Sequence, residues 1–212
     1  MIQRSLAAFS FGALLLMAGR LPAADLYTID PAHTSIVFSV AHSGFSYTYG
    51  MFREASGTYI IDKQNPANNQ FRLIIKTPSL DTNHAKRDEH LRSADFFNAR
   101  QFPEITFDST KCVAANAPDG GVLFQLTGNL AMHGVTRQIS VPLRMLGEGT
   151  GPYGDQRSGF LCQIELKRSD FGMTNLLKDN LVGDAVGITV SFEGTQQTQP
   201  AGGAAAGAGR PQ

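Results

Sequence analysis

Five histidines, two cysteines and a scatter of carboxylates are the side chains of this 212-residue sequence that could support acid–base, nucleophilic or metal chemistry. Their spacing assembles none of these. Among His33, His42, His84, His90 and His133 there is no close metal pair, since His84 and His90 stand six apart and do not share a helical face. Cys112 and Cys162 lie far from every histidine in sequence. No G-x-S-x-G turn presents a serine nucleophile, and no G-x-G-x-x-G follows a strand to cradle a dinucleotide. Asp88 and Glu89 are adjacent acids on a charged segment, where solvation accounts for them. The reading is a chain with no catalytic residues, no metal and no cofactor.

The elements that would position any site come next. Eighteen basic residues balance eighteen acidic ones, which argues against a nucleic-acid partner. Twenty-two glycines and fourteen phenylalanines tilt the chain toward β structure. Alternation of apolar residues confirms the tilt. Ile36, Phe38, Val40 and His42 share one parity, and the same period recurs around 71–75, 105–107, 122–126, 139–145, 160–166 and 186–192. With a less regular segment from Gly50 to Ile61, eight strands are predicted. Asn65-Pro66, Pro118-Asp119-Gly120-Gly121, His133-Gly134 and the glycines around 149–152 separate several of them.

One segment breaks the rhythm. Residues 82–97 are charged and helix-friendly, with Asn83 as expected N-cap and Leu91, Phe96 and Phe97 as apolar contacts. It reads as a solvated helical crossover or as a lid over one end of a barrel. Eight strands with one apolar face close into a barrel, although patterning alone also permits a two-sheet sandwich. A barrel so lined suits an apolar ligand, yet a side-chain-filled core has the same sequence signature.

The two ends fall outside that fold. Arg4, the apolar run from Leu6 to Ala18 and the small residues up to Ala24 have the layout of a signal peptide cleaved near Ala24. Residues 1–24 are therefore expected to direct export, to the periplasm, and 25–195 to form the body. Residues 196–212, rich in Gly, Ala and Gln, are expected to be a disordered tail. In an oxidising compartment two cysteines raise the question of a disulfide. Cys162 shares the inward parity, whereas Cys112 is out of phase unless a bulge intervenes, and two strands are expected between them. Free thiols are the expectation.

Five stretches carry a resemblance: YTIDPAHTSIVFSVAH (27–42), DTNHAKRDEHLRSADFFNARQFPEITF (81–107), LTGNLAMHGVTR (126–137), LKRSDFGM (166–173) and DAVGITVSFEG (184–194). Together and in this order they resemble the YceI-like family of exported, lipocalin-like polyisoprenoid-binding proteins. Leu26 stands where that family often has an aromatic. The resemblance implies an all-β, eight-stranded antiparallel, lipocalin-like barrel with a short helical crossover around 83–97. It also implies a hydrophobic interior that takes a long isoprenoid or similar amphiphile.

Such a ligand gains about 0.8 kcal/mol per buried methylene, so specificity for a chain would come from cavity length. The expected tail contacts are Phe38, Val40, Phe45, Met51, Phe52, Leu91, Phe96, Phe97 and Phe171. The expected polar mouth is His42, Arg87, His90 and His133. Arg168 and Asp170 read as a structural pair or turn. The functional expectation is a periplasmic carrier of a quinone or polyprenyl lipid, with no nucleic-acid partner. A membrane redox or lipid-pathway protein is a candidate partner, and two barrels could share an exposed face as a homodimer. Two alternatives stand beside it: an enzyme using a histidine as acid–base on a bound amphiphile, and a stress-response protein with a filled barrel.

Overall fold

The computed structural model describes residues 24–178 and 180–197. The leader reading, apart from Ala24, and the tail reading from residue 198 onward lie outside the described residues, while Gln196 ends the last strand opposite Tyr27 and Gln197 N donates to the Leu26 carbonyl at 2.7 Å. The described chain runs β1 (Asp25–His42), β2 (Ser46–Phe52), β3 (Ala55–Ile61), β4 (Gln70–Lys76), β5 (Leu80–Asp81) and α1 (Ala85–Arg92). It continues through β6 (Glu104–Asn116), β7 (Val122–Met132), β8 (Val135–Thr150), β9 (Gln156–Lys167) and β10 (Val182–Gln196).

All pairings are antiparallel, and β1 closes the sheet by pairing with β10. β1 is long enough to do two jobs on its other edge. Its first residues pair with β3 and its second half with β2, opposite Phe38 and Val40. β2 and β3 thus form one position in the wall, interrupted at Arg53-Glu54, where the sequence predicts a single strand over 50–61. Counted this way the sheet is a closed eight-stranded barrel, with the two-residue β5 appended to β2. Closure leaves the long strands paired on both sides, which settles the barrel over the sandwich.

Two irregularities do specific work. The register of β1 against β10 shifts between Ile29 and Thr34, across Pro31, which has no N–H to give the ladder. Asp30 holds this kink: its carboxylate accepts from Ala32 N at 3.0 Å and from Arg157 at 2.9 Å. The register of β6 against β7 shifts between Ser109 and Lys111. That bulge turns Cys112 into the core, where it is 1% exposed. Cys112 and Cys162 are both buried and both free; β7 and β8 separate the strands that carry them.

The barrel has a packed end and a covered end. At the end holding the start of β1 and the finish of β10, Tyr59 is the hub. It stacks on Tyr27 at 4.8 Å and on Phe71 at 5.6 Å, and meets the edges of Phe160 and Phe192. Its hydroxyl donates to the Ser158 carbonyl at 3.1 Å and meets Ser158 Oγ at 2.8 Å. Burial keeps that hydroxyl neutral, its pKa well above the ordinary tyrosine value. Gly194 makes room for it, because a Cβ there would sit 2.4 Å from the Tyr59 oxygen. Leu26 lies partly exposed beside this plug.

The opposite end receives the β1–β2 turn, the crossover from β4 to β6, the β7–β8 turn and the β9–β10 connection. The β7–β8 turn is a two-residue hairpin, with His133 and Gly134 both at positive φ. Helix α1 is capped by His84, whose Nδ1 accepts from Arg87 N, and not by Asn83 as the sequence suggested. Asn83 instead adopts a left-handed conformation and donates its N–H to Asp81. The following segment curls under so that Phe96 is buried while the helix surface stays largely solvated.

Candidate ligand-binding cavity

Between plug and crossover the barrel is hollow. The cavity has a volume of about 200 Å³ and an almost entirely apolar wall. Alternating side chains build it: Ile36, Phe38 and Val40 from β1, then Val186, Ile188 and Val190 from β10. Ile164 and Leu166 of β9, Ile139 and Val141 of β8, and Leu126 and Leu130 of β7 continue around. The pairing register explains the band. Phe38 stands opposite Ile188, which stands opposite Ile164 on its other side, so the three face inward together. The lining on β10 extends from Val182 to Phe192. Ten residues at about 3.3 Å rise and about 35–45° tilt correspond to roughly 25 Å along the barrel. The cavity is therefore long and narrow. Both fates open to a small barrel occur here, one above the other: a side-chain-filled lower part and a hollow upper part.

Six of the nine expected tail contacts line this space: Phe38, Val40, Phe52, Leu91, Phe96 and Phe97. Phe52 links strand to crossover, with Phe38 at 5.7 Å on one side and Phe97 edge-on at 5.6 Å on the other. Three expectations on placement are corrected. Phe45 is 90% exposed at the tip of the β1–β2 turn, beyond Ser43 and Gly44, which both take positive φ. Met51 pairs with Val37 and shares its outward parity, while its neighbour Phe52 pairs with Ile36 and points in. Phe171 is buried at 1% in the upper core, clustered with Ile36, Leu80 and Leu130, and is not among the residues that line the cavity.

The expected polar mouth is also corrected. His42, Arg87, His90 and His133 lie at the same end of the barrel, yet none lines the cavity. Each of the last three is engaged elsewhere. Arg87 donates from Nε to Thr82 Oγ1 and from an Nη to the Thr82 carbonyl, both at 2.7 Å, securing the crossover. His90 Nε2 meets the Asp95 carboxylate at 2.9 Å. His133 Nδ1 donates to the Phe171 carbonyl at 2.9 Å, which joins the β7–β8 turn to the end of β9. His42 is exposed at the end of β1.

Sequence reasoning missed an ionic side chain buried at the wall. Arg168, only 6% exposed, sits in the 3-10 turn Arg168–Phe171 that ends β9. The turn was anticipated; a pairing with Asp170 was not borne out, because Arg168 bonds to backbone carbonyls and Asp170 is exposed. Its position one step beyond the inward Leu166 parity gave the only hint. Cys162 is another lining residue; burial pushes its thiol up to about 11, so it is protonated and inert at neutral pH. Among the described residues no cluster of His, Cys, Asp and Glu is arranged to hold a metal ion.

Comparison with known proteins places this architecture. The model of the YceI-like domain matches residues 27–194. A UPF0312 protein of Azotobacter vinelandii is 39% identical over 199 residues, covering 93% of this chain and all of that protein. Among solved structures, Burkholderia cenocepacia BcnA superposes with a TM-score of 0.68 at 24% identity, covering 78% of this chain and 98% of that one. A polyisoprenoid-binding domain from Saccharophagus degradans, implicated in plant cell wall breakdown, superposes with a TM-score of 0.63 at 17% identity. That match covers 81% of this chain and 98% of the other. At these identities the two structures share the fold.

Proposed function

Because the chain belongs to the YceI-like family, we propose that its cavity holds the hydrocarbon tail of a long isoprenoid-type amphiphile and that the protein serves as a periplasmic carrier or reservoir. The observation that carries this reading is the cavity itself: long, narrow, closed below by the Tyr59 plug and walled by apolar side chains from nearly every strand. Such a space favours a chain over a compact molecule. Each isoprene unit drawn into it contributes about 3–4 kcal/mol gross, at about 0.8 kcal/mol per methylene-sized group. Several units offset the cost of association and leave a stable complex. The polyisoprenoid-binding domain that shares the fold supports the same ligand class. The reading involves no catalytic turnover: the histidines near the covered end serve turns and caps, as with His84 and His133.

Native mass spectrometry of the mature protein isolated from periplasm, followed by solvent extraction, tests it. A released lipid of several isoprene units is the expected result. A protein that emerges empty and also fails to take up added quinones and polyprenyl lipids would overturn the reading.

A further inference from the structure

From Pro31 to Phe52 the chain carries no Asp, Glu, Lys or Arg, although 17% of the whole sequence is charged. This stretch spans most of β1 and all of β2. On their outer face Val37, Ser39 and Ala41 stand opposite Met51, Tyr49 and Tyr47, and on the other side Val37 and Ser39 stand opposite Thr189 and Gly187 of β10. Three neighbouring strands therefore share an uncharged outer face. At the covered end of the barrel this face finishes in an apolar tip. Phe45 stands almost fully exposed in the β1–β2 turn, with Tyr47 and Tyr49 exposed behind it. Ser43 N donates to the Leu181 carbonyl at 2.9 Å, tying that turn to the β9–β10 connection, where the Leu181 side chain is exposed as well.

A partner recognised through ion pairs finds nothing to pair with on β1 and β2, whereas an apolar phase gains by covering Phe45 and Leu181. The order of the rings fits the profile of a bilayer. Phenylalanine is outermost, where hydrocarbon begins, and the tyrosines follow, each an apolar ring with a polar tip suited to the head-group layer. Four residues separate Phe45 from Tyr49. At about 3.3 Å per residue and about 35–45° of tilt they differ by roughly 10 Å in depth, the reach of an interfacial apolar face. The tip is also continuous with the cavity. Val40 and Val182 line the cavity, one residue from Ala41 and Leu181, and Val182 pairs with His42.

We propose that this tip docks the protein on the surface of a phospholipid bilayer. Phe45 and Leu181 enter the acyl boundary, Tyr47 and Tyr49 lie among the head groups, and the covered end of the cavity faces the membrane. The docking rests on the lipid-binding reading only for its purpose: a tail passes between bilayer and cavity without crossing water. Tyr153 offers an internal contrast. It is equally exposed, but it lies at the opposite end, in the β8–β9 turn beside the ion pair of Asp155 with Arg157.

The test is flotation of the mature protein with vesicles of phosphatidylcholine, alone and mixed with phosphatidylglycerol. Binding to both is expected, and the double variant Phe45→Ser, Leu181→Ser should lose about ten-fold or more in vesicle affinity. Because the sequence has no tryptophan, Phe45→Trp adds a single reporter. Its emission should move to shorter wavelength on either vesicle and be quenched by brominated lipid, while Tyr153→Trp stays unchanged. A Phe45→Trp emission that vesicles leave unmoved, or that moves no more than that of Tyr153→Trp, overturns the docking. A double variant that floats as the parent does overturns it too, as does flotation confined to the phosphatidylglycerol vesicles. A parent that ignores vesicles but sediments as a dimer, which the double variant dissolves, replaces the bilayer with a second copy of this chain. Calorimetric titration with geranylgeraniol in the absence of vesicles keeps the two readings apart. The double variant should take up the alcohol as the parent does; if neither protein binds it, the cavity reading falls while the vesicle experiment still decides the docking.

Discussion

Ile188→Asp probes the cavity wall at its middle. Ile188 is flanked by Phe38 on β1 and Ile164 on β9, and all three line the cavity. A carboxyl group at this point faces the tail and not the solvent. The isoprene unit that would lie against it forfeits about 3–4 kcal/mol of gross burial. About 3 kcal/mol corresponds to a loss in affinity of roughly two orders of magnitude. The protein itself loses about 2 kcal/mol from the Ile188 contacts. The new acid limits any further cost by keeping its proton, because burial raises its pKa. Calorimetric titration with geranylgeraniol reads the affinity, and a circular dichroism melt shows that the variant is folded. The control is Gln163→Asp on the outer face, opposite Thr189 and exposed, which should bind as the parent does. A folded Ile188→Asp that binds within about threefold of the parent, well inside one kcal/mol, would refute the assignment of this wall to the ligand.

Gly50→Ala acts on the same wall beside Phe38, its cross-strand partner. The added Cβ falls 2.3 Å from Phe38 Cζ, so the ring must move from its place in the wall; thermal melts should show a loss of about 1–2 kcal/mol, and the same titration a weaker tail affinity. The two cysteines should resist a thiol reagent in the native protein and both react after denaturation, since both are buried and burial holds Cys162 protonated up to about 11. Asp30 makes the stability pH-dependent at the acid end. Hydrogen bonds from His33 and Arg157 hold its carboxyl down to about 2 in the folded state, against about 3.9 in an unfolded chain. Its contribution is thus complete above about pH 4 and is lost as the pH falls toward 2. Asp30→Asn should melt below the parent at pH 5, and the two melting temperatures should converge at pH 2.

Parity along the strands, read from the sequence alone, determined the strands and most of their inward face, whereas closure into a barrel and not a sandwich is set by the pairing of β1 with β10. A residue's face in a strand follows from its neighbours two positions away, and that rule is local. Ile36, Phe38 and Val40 were legible for this reason, as were Ile164, Ile188 and Val190. The limit of the rule shows at Met51 and Phe52, adjacent residues of which only one can face inward. The pairing of Phe52 with Ile36 makes the choice, and that is a tertiary fact. Phe45 carried no such pairing, and the left-handed turn before it carries it into solvent. The crossover was legible as a segment, but not the capping role of His84 or the hold of Arg87 on Thr82, since both depend on how the chain enters the helix. The thiols turned on a bulge between Ser109 and Lys111 that sequence could name only as a condition. Arg168 is the clearest case of what tertiary structure alone decided. The sequence reads it as part of a structural pair or turn with Asp170, whereas its burial depends on carbonyls of Met173, Val182 and Gly183, which the close of β9 on the start of β10 brings to it.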